Sequence, residues 1–196
     1  MEKQLLIERL KSKPELDIYY DYLLGQEVWY FQNNGPDFSS DYDHFKKFIS
    51  RNLKIPFNNI SIVGSAKTRY SFSPTKNFSE FHNESDFDLI IVSNRLFNRV
   101  WEAYRQISNS QYLHGYDQKC GNVFHGFVSL KDDDRTYGNE ILENWQKLIL
   151  TFKAGLQLKF NIQHDINYRI YSDWESVEAY HLKGITKLKS TLDETN

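Results

Sequence analysis

The sequence predicts an α+β (α/β) chain in which a mixed central β-sheet is flanked by helices. Two short β-branched runs, Ile60-Ser61-Ile62-Val63 and Phe87 to Val92, have strand length and strand composition. Apolar residues at spacings of three and four recur on either side of them, as buried helix faces require. An aromatic fraction of 16% supplies far more apolar surface than a disordered chain carries, so the segments pack into a core.

Residues 1 to about 32 place Leu5, Leu6, Leu10, Leu16, Tyr19, Tyr20, Leu23 and Leu24 at helical spacing, interrupted by Pro14. Asn33-Asn34-Gly35-Pro36-Asp37 signals a turn. Ser39-Ser40-Asp41 then offers N-cap oxygens to a helix that buries Phe45, Phe48, Ile49 and Leu53 and ends before Pro56. The first strand is Ile60 to Val63, closed by Gly64-Ser65. A polar, turn-rich loop over 66–85 leads to the second strand, Phe87 to Val92. Phe97, Val100, Trp101, Tyr104 and Ile107 mark one face of a helix, and Phe124 to Leu130 reads as a strand. A polar link, Lys131 to Asp134, precedes a helix from about Gly138 to Leu158, with Trp145, Leu148, Ile149, Phe152 and Leu156 as core. A strand from about Phe160 to Tyr171 follows, then a helix capped by Ser172 or Asp173. These elements read as one domain over 1–196: a helical region at about 1–32, a core at about 41–171 and a last helix at about 173–192.

A formal charge of -2 argues against a strongly basic protein that coats nucleic acid, although a local basic groove fits within it. Cys120 is the single cysteine, which excludes an intramolecular disulfide and a cysteine-rich zinc site and points to a reducing compartment, the cytoplasm. The N-terminal stretch has no uninterrupted apolar segment and no later stretch reaches membrane-spanning length, so neither export nor a membrane partner is expected.

Asp86 and Asp88 lie two apart in the strand run Asp86-Phe87-Asp88-Leu89, so both carboxylates project from one face. Two such anions repel unless a cation lies between them, and hard oxygen ligands select Mg2+ or Mn2+. Alone, Asp-x-Asp at a strand start also reads as turn chemistry. Its neighbour strengthens the metal reading. Gly64-Ser65 ends the preceding strand, where glycine lets the backbone approach a phosphate, serine can bind one, and Lys67 can offset its charge. An ordinary turn is the alternative for this pair too.

The combination Val63-Gly64-Ser65, spacer, Asp86-Phe87-Asp88-Leu89 resembles the nucleotidyltransferase superfamily of the DNA polymerase β type over roughly 41–171. The resemblance implies a polymerase β type sheet, a nucleoside triphosphate held by Gly64 and Ser65, and magnesium ions on Asp86 and Asp88 that activate a hydroxyl and stabilise leaving pyrophosphate. The spacer carries an insertion, Ser71 to Glu84, of a length found in the branch with oligoadenylate and cyclic-dinucleotide synthases. Ala66, Lys67, Thr68 and Arg69 stand where a further glycine is common, with Lys67 and Arg69 as compensating cations. The family draws a third carboxylate from a later strand. Here Asp165, Asn167 and Arg169 share one face, and the register decides whether Asp165 or Asn167 takes that position. Asn would accept a hydrogen bond but carry no charge and act as no base.

The expected activity is transfer of a nucleoside monophosphate to an acceptor, either a protein, a nucleotide or a nucleic acid, and the helical flanks leave room for a partner subunit that completes the site. Small bacterial members of toxin–antitoxin and defence systems have this size. A nucleotide-binding regulator without turnover is the alternative, and an interaction module a third. His82, His114, His125, His164 and His181 lack zinc-site spacing. Lys131 to Arg135 reads as a solvated loop, and Lys183, Lys187 and Lys189 as a solvated helix face. Tyr70 and Phe72 read as turn packing, or as rings for a base.

Overall fold

The computed structural model describes residues 3–34, 38–76 and 78–194. Of the expected turn Asn33 to Asp37, Asn33 and Asn34 are instead the end of a helix, Gly35, Pro36 and Asp37 lie outside the described residues, and Ser39, Ser40 and Asp41 fall inside the helix Phe38–Leu53 rather than at its cap. Helix α1 (Lys3–Ser12) ends at the predicted break. After Pro14 the chain resumes as α2 (Glu15–Ile18), which widens into a π-helical turn, Tyr19–Leu24. Helices α3 (Trp29–Asn34) and α4 (Phe38–Leu53) follow, then strand β1 (Ile60–Val63), a single turn α5 (Ser65–Thr68) and strand β2 (Phe87–Val92). Helices α6 (Asn94–Ser110) and α7 (Tyr116–Phe124), strand β3 (Phe127–Val128), helix α8 (Glu140–Phe160), strand β4 (Ile166–Tyr171) and helix α9 (Trp174–Glu194) complete the order.

The sheet runs β1-β2-β4-β3 and is mixed, as expected: β2 and β4 are parallel, while β1 and β3 lie antiparallel on the two edges. A parallel pair needs a long crossover, and α6 to α8 supply it. Side chains of period two send Phe87, Leu89, Ile91, Ile166, Tyr168 and Ile170 to one face, into a cluster with Phe45, Ile49, Phe97, Ile149 and Phe152. Ile90, Val92, Phe127 and Tyr171 point to the other face, under Leu6, Leu10, Tyr19, Leu23, Val177 and Ile185 from the two ends of the chain. Covering both faces explains why β2 reads as a nearly continuous apolar run. Asp88 is its polar exception.

Three expectations are corrected. The strand expected from Phe124 to Leu130 is only Phe127–Val128, because α7 extends through Phe124. Gly126 then turns the chain at φ +74, so close to α9 that a Cβ there would lie 2.2 Å from Ser176 Oγ. The strand expected from Phe160 begins only at Ile166, because α8 runs to Phe160 and Asn161 ends it in the left-handed region at φ 50, ψ 40. Of the expected helix faces, Trp101 and Leu148 turn outward, 43% and 38% exposed, since each lies at the margin of its apolar stripe. The cap of α9 is resolved in favour of Asp173, whose Oδ1 accepts from the Ser176 N–H at 2.7 Å.

Candidate active site

The antiparallel register sets Val63 at the end of β1 opposite Asp88. The next residue, Gly64, takes φ +75, and a Cβ on it would stand 2.8 Å from Asp88 Oδ2. Only glycine tolerates both demands. Gly64→Ala is therefore expected to push Asp88 aside and to lower the free energy of unfolding by ~1–2 kcal/mol, measured by urea unfolding.

Asp86 is placed by a tight turn. Ser85 N–H donates to the His82 carbonyl at 2.8 Å, His82 N–H donates back to Ser85 Oγ at 3.0 Å, and His164 Nδ1 meets the Ser85 carbonyl at 2.9 Å. Between the two acids, Phe87 buries its ring on the opposite face. Burial pushes the Asp88 carboxyl above its usual range; Arg169 opposes the rise, Asp86 adds to it, and Lys76 opposes it.

The parallel register answers the question of the third position: Asn167 is the partner of Asp88. Asp165 precedes β4, is exposed, and ties itself to β2 through its carbonyl, which accepts from Phe87 N–H at 2.7 Å. Among the described residues no three His, Cys, Asp or Glu side chains cluster closely enough to hold a metal. The available oxygen donors are thus the two carboxylates of Asp86 and Asp88 with the neutral amide of Asn167. Arg169, next on that face, holds its guanidinium 5.5 Å from the Phe127 ring and 5.4 Å from the Tyr180 ring.

Two cavities meet at this point. The first, about 550 Å³, is bounded by Gly64, Ser65, Asp86 and Asp88 and receives Lys76 from the 71–76 loop and Lys183 and Lys187 from α9. The second, about 560 Å³, opens on the other side of the acids and includes Asp165. Asp86, Asp88, Asn167, Arg169 and Tyr180 line both.

No family model, curated protein or solved structure matches this chain. The site is read from its own geometry.

Lys67 is corrected by that geometry. It is 3% exposed and donates its ammonium to the Gly25 carbonyl, away from both cavities. Arg69 is bound to Glu80, Nε to Oε1 at 2.7 Å. The cations whose charge acts on Asp88 are instead Arg169 and Lys76, while Lys183 and Lys187 are exposed on the rim of the first cavity. Lys183 and Lys187 are exposed, as a solvated helix face requires, and one helical turn apart they also border the first cavity. Phe72 lines the first cavity, whereas Tyr70 is buried.

Burial, with Lys46 nearby, lowers the Lys67 pKa to about 8 from 10.5. Between those values the unfolded chain holds a proton the folded chain has lost, so stability rises with pH from about 8 toward 10. Below pH 8 both states are protonated and the folded state carries the full penalty, about 3 kcal/mol. Lys67→Met is expected to stabilise the protein at pH 7 and flatten that rise, read from urea midpoints. His181 behaves in the same way at lower pH: burial, with Arg169 adding, lowers its pKa to about 4 from 6.5. Stability is therefore expected to fall as pH drops from 6.5 to 4, less steeply in His181→Phe.

Proposed function

We propose that this site binds a nucleoside triphosphate with magnesium or manganese and transfers the nucleoside monophosphate to a hydroxyl acceptor. The observation that carries the reading is convergence: Gly64-Ser65, Asp86 and Asp88 share one cavity with three lysines that have no carboxylate of their own there. Lys76, Lys183 and Lys187 would neutralise the phosphates. Asp86 and Asp88 would hold the cation, and the partly buried Asp88 carboxylate, costly as a lone anion, would be stabilised by one. A bound divalent ion would supply charge neutralisation on phosphate oxygens and a lower pKa for the attacking hydroxyl.

The transfer balances simply. The acceptor oxygen forms a bond to the α-phosphorus, the bond to the β-phosphate oxygen breaks, pyrophosphate leaves with that electron pair, and the hydroxyl proton goes to a carboxylate. Asp165, exposed in the second cavity, is a carboxylate on that side placed at the start of β4. The polymerase β type of fold, a cytoplasmic setting and a role in bacterial defence belong to this proposal, on the resemblance of Val63-Gly64-Ser65 and Asp86-Phe87-Asp88-Leu89. Among the described residues no helix is long and apolar enough to cross a membrane.

A second reading rests on Asn167. An amide opposite Asp88 neither carries charge nor takes a proton, which suits a protein that binds nucleotide and does not turn it over. The test is incubation with each labelled nucleoside triphosphate and magnesium or manganese, for native protein and Asn167→Asp. The transfer reading expects pyrophosphate release from native protein, raised on the order of 100-fold by the restored acid. Metal-dependent binding without release in either protein selects the regulatory reading.

A further inference from the structure

Helix α7 is thinly packed against its own fold. None of its nine residues is buried, and Val123 packs only partly against the core. Gln118 and Asn122 border the second cavity, not an apolar neighbour. Gly121 sits mid-helix with open space where a Cβ would be, which costs ~1 kcal/mol against alanine. Nine residues are too few for a helix to persist in water on propensity alone. The apolar surface lies on the other side of the helix, two residues round from Gln118 and Asn122. There Tyr116, Cys120 and Phe124, at spacings of four, form one ridge, and beside it a groove of about 330 Å³ runs to Trp101 and Tyr104 on α6. Phe124 is 88% exposed, and Tyr112, in the link between α6 and α7, is 79% exposed; Trp101 and Tyr116 are half-exposed.

We infer that this face pairs with a second copy of the chain, α7 lying antiparallel on α7 of the other copy about a two-fold axis at Cys120. Tyr116 and Phe124 stand one turn to either side of Cys120, so the reversed ridge matches itself and Phe124 of each copy meets Tyr116 of the other, as an isologous interface requires. At about 200 Å² for a fully exposed ring, the four aromatics offer roughly 500 Å² of the ~800 Å² that each side of a standard interface buries. The walls of the groove add to it. Charge permits the match. The two cations of the groove are already paired on their own chain, Arg105 with Glu102 at 2.7 Å and Lys119 with Asp134 at 3.7 Å. Asp117 sits in the first turn of α7, where the helix dipole favours an acid. A face so nearly neutral does not repel its own copy, and neither cation is free to meet a nucleic-acid phosphate. Pairing buries α7 between two copies and supplies the apolar contact that its own chain leaves out.

Sedimentation equilibrium of the full chain, reduced and without nucleotide, measures its mass across the micromolar range. The mass of two chains is expected, falling toward one on dilution. Phe124→Glu is expected to weaken the association on the order of 30-fold or more, as loss of a central interface ring does. Leu158→Glu, an equally exposed change on α8 that borders neither the groove nor Tyr112, is expected to leave the mass at two chains. A short bis-maleimide is expected to join two native chains through the exposed Cys120, the single cysteine, and to leave Phe124→Glu chains unjoined at the same concentration. One chain mass at every concentration overturns the inference and leaves the face to an apolar ligand or another protein. A dimer that Phe124→Glu leaves intact, or one whose Cys120 thiols do not cross-link, overturns it as well.

Discussion

Asp88→Asn is expected to weaken metal-dependent nucleotide binding by about 100-fold or more, beyond the loss seen when an outer partner of a metal ligand is removed, and at the same time to raise the melting temperature of the metal-free protein. Both effects come from one atom's surroundings. Asp88 lies on β2 under Gly64, largely buried, and burial holds its carboxyl above the usual range despite Arg169. Between the unfolded pKa of 3.8 and the raised folded value, the folded chain keeps a proton that the unfolded chain has lost. Stability therefore falls as pH rises through that window and stays lower at neutral pH. Asparagine has nearly the same shape and no charge to desolvate, so the penalty disappears. On the proposed reading a cation between Asp86 and Asp88 would remove the same penalty in the native protein, and the variant would gain nothing from metal. Thermal melts with and without magnesium or manganese, beside nucleotide titrations, measure both arms. A variant less stable than native in the absence of metal would contradict this account of Asp88.

Phe87→Ala is expected to cost ~3–5 kcal/mol in urea unfolding, the largest single loss available near the site. Phe87 is 0% exposed, and its ring lies 4.8 Å from Tyr30, 6.1 Å from Phe45 and 6.3 Å from Phe81, centroid to centroid. The edge-to-face pairs with Tyr30 and Phe81 add to the area buried. The residue also stands between the two acids. Its backbone N–H holds the Asp165 carbonyl at the start of β4, so a collapsing cavity there shifts the acids and the parallel register together. Phe87→Leu, which fills part of the volume, is expected to lose less.

The strands that build this site were legible because their chemistry is local. Ile60 to Val63 and Phe87 to Val92 are β-branched runs ended by Gly64 and preceded by Asp86, and strand parity alone places both acids on one face. Helix α4 was legible to its end because Pro56 cannot continue it. What depended on tertiary closure was not legible. The identity of the third position turns on where α8 stops, and that is set by Asn161 adopting a left-handed conformation, which a sequence with several asparagines does not announce. Helix α7 was hidden because Tyr116 to Phe124 contains Gly121 and little apolar periodicity; its cap is a left-handed Gly115. Lys67 reads as a phosphate ligand by proximity to Gly64, yet the turn of α5 directs it beneath the surface to Gly25. Lys183 and Lys187 border the cavity that holds the acids because α9 packs Val177, Ile185 and Leu188 across the same sheet face, a contact between residues far apart in the chain.

Equilibrium dialysis of the common nucleoside triphosphates, with magnesium, with manganese and with chelator, against native protein and Asp86→Asn/Asp88→Asn, tests the central claim most directly. The account predicts that at least one triphosphate binds the native protein only when metal is present and that the double variant loses this binding while remaining folded. Binding of no triphosphate, or binding that survives both the chelator and the loss of the two carboxylates, would contradict it.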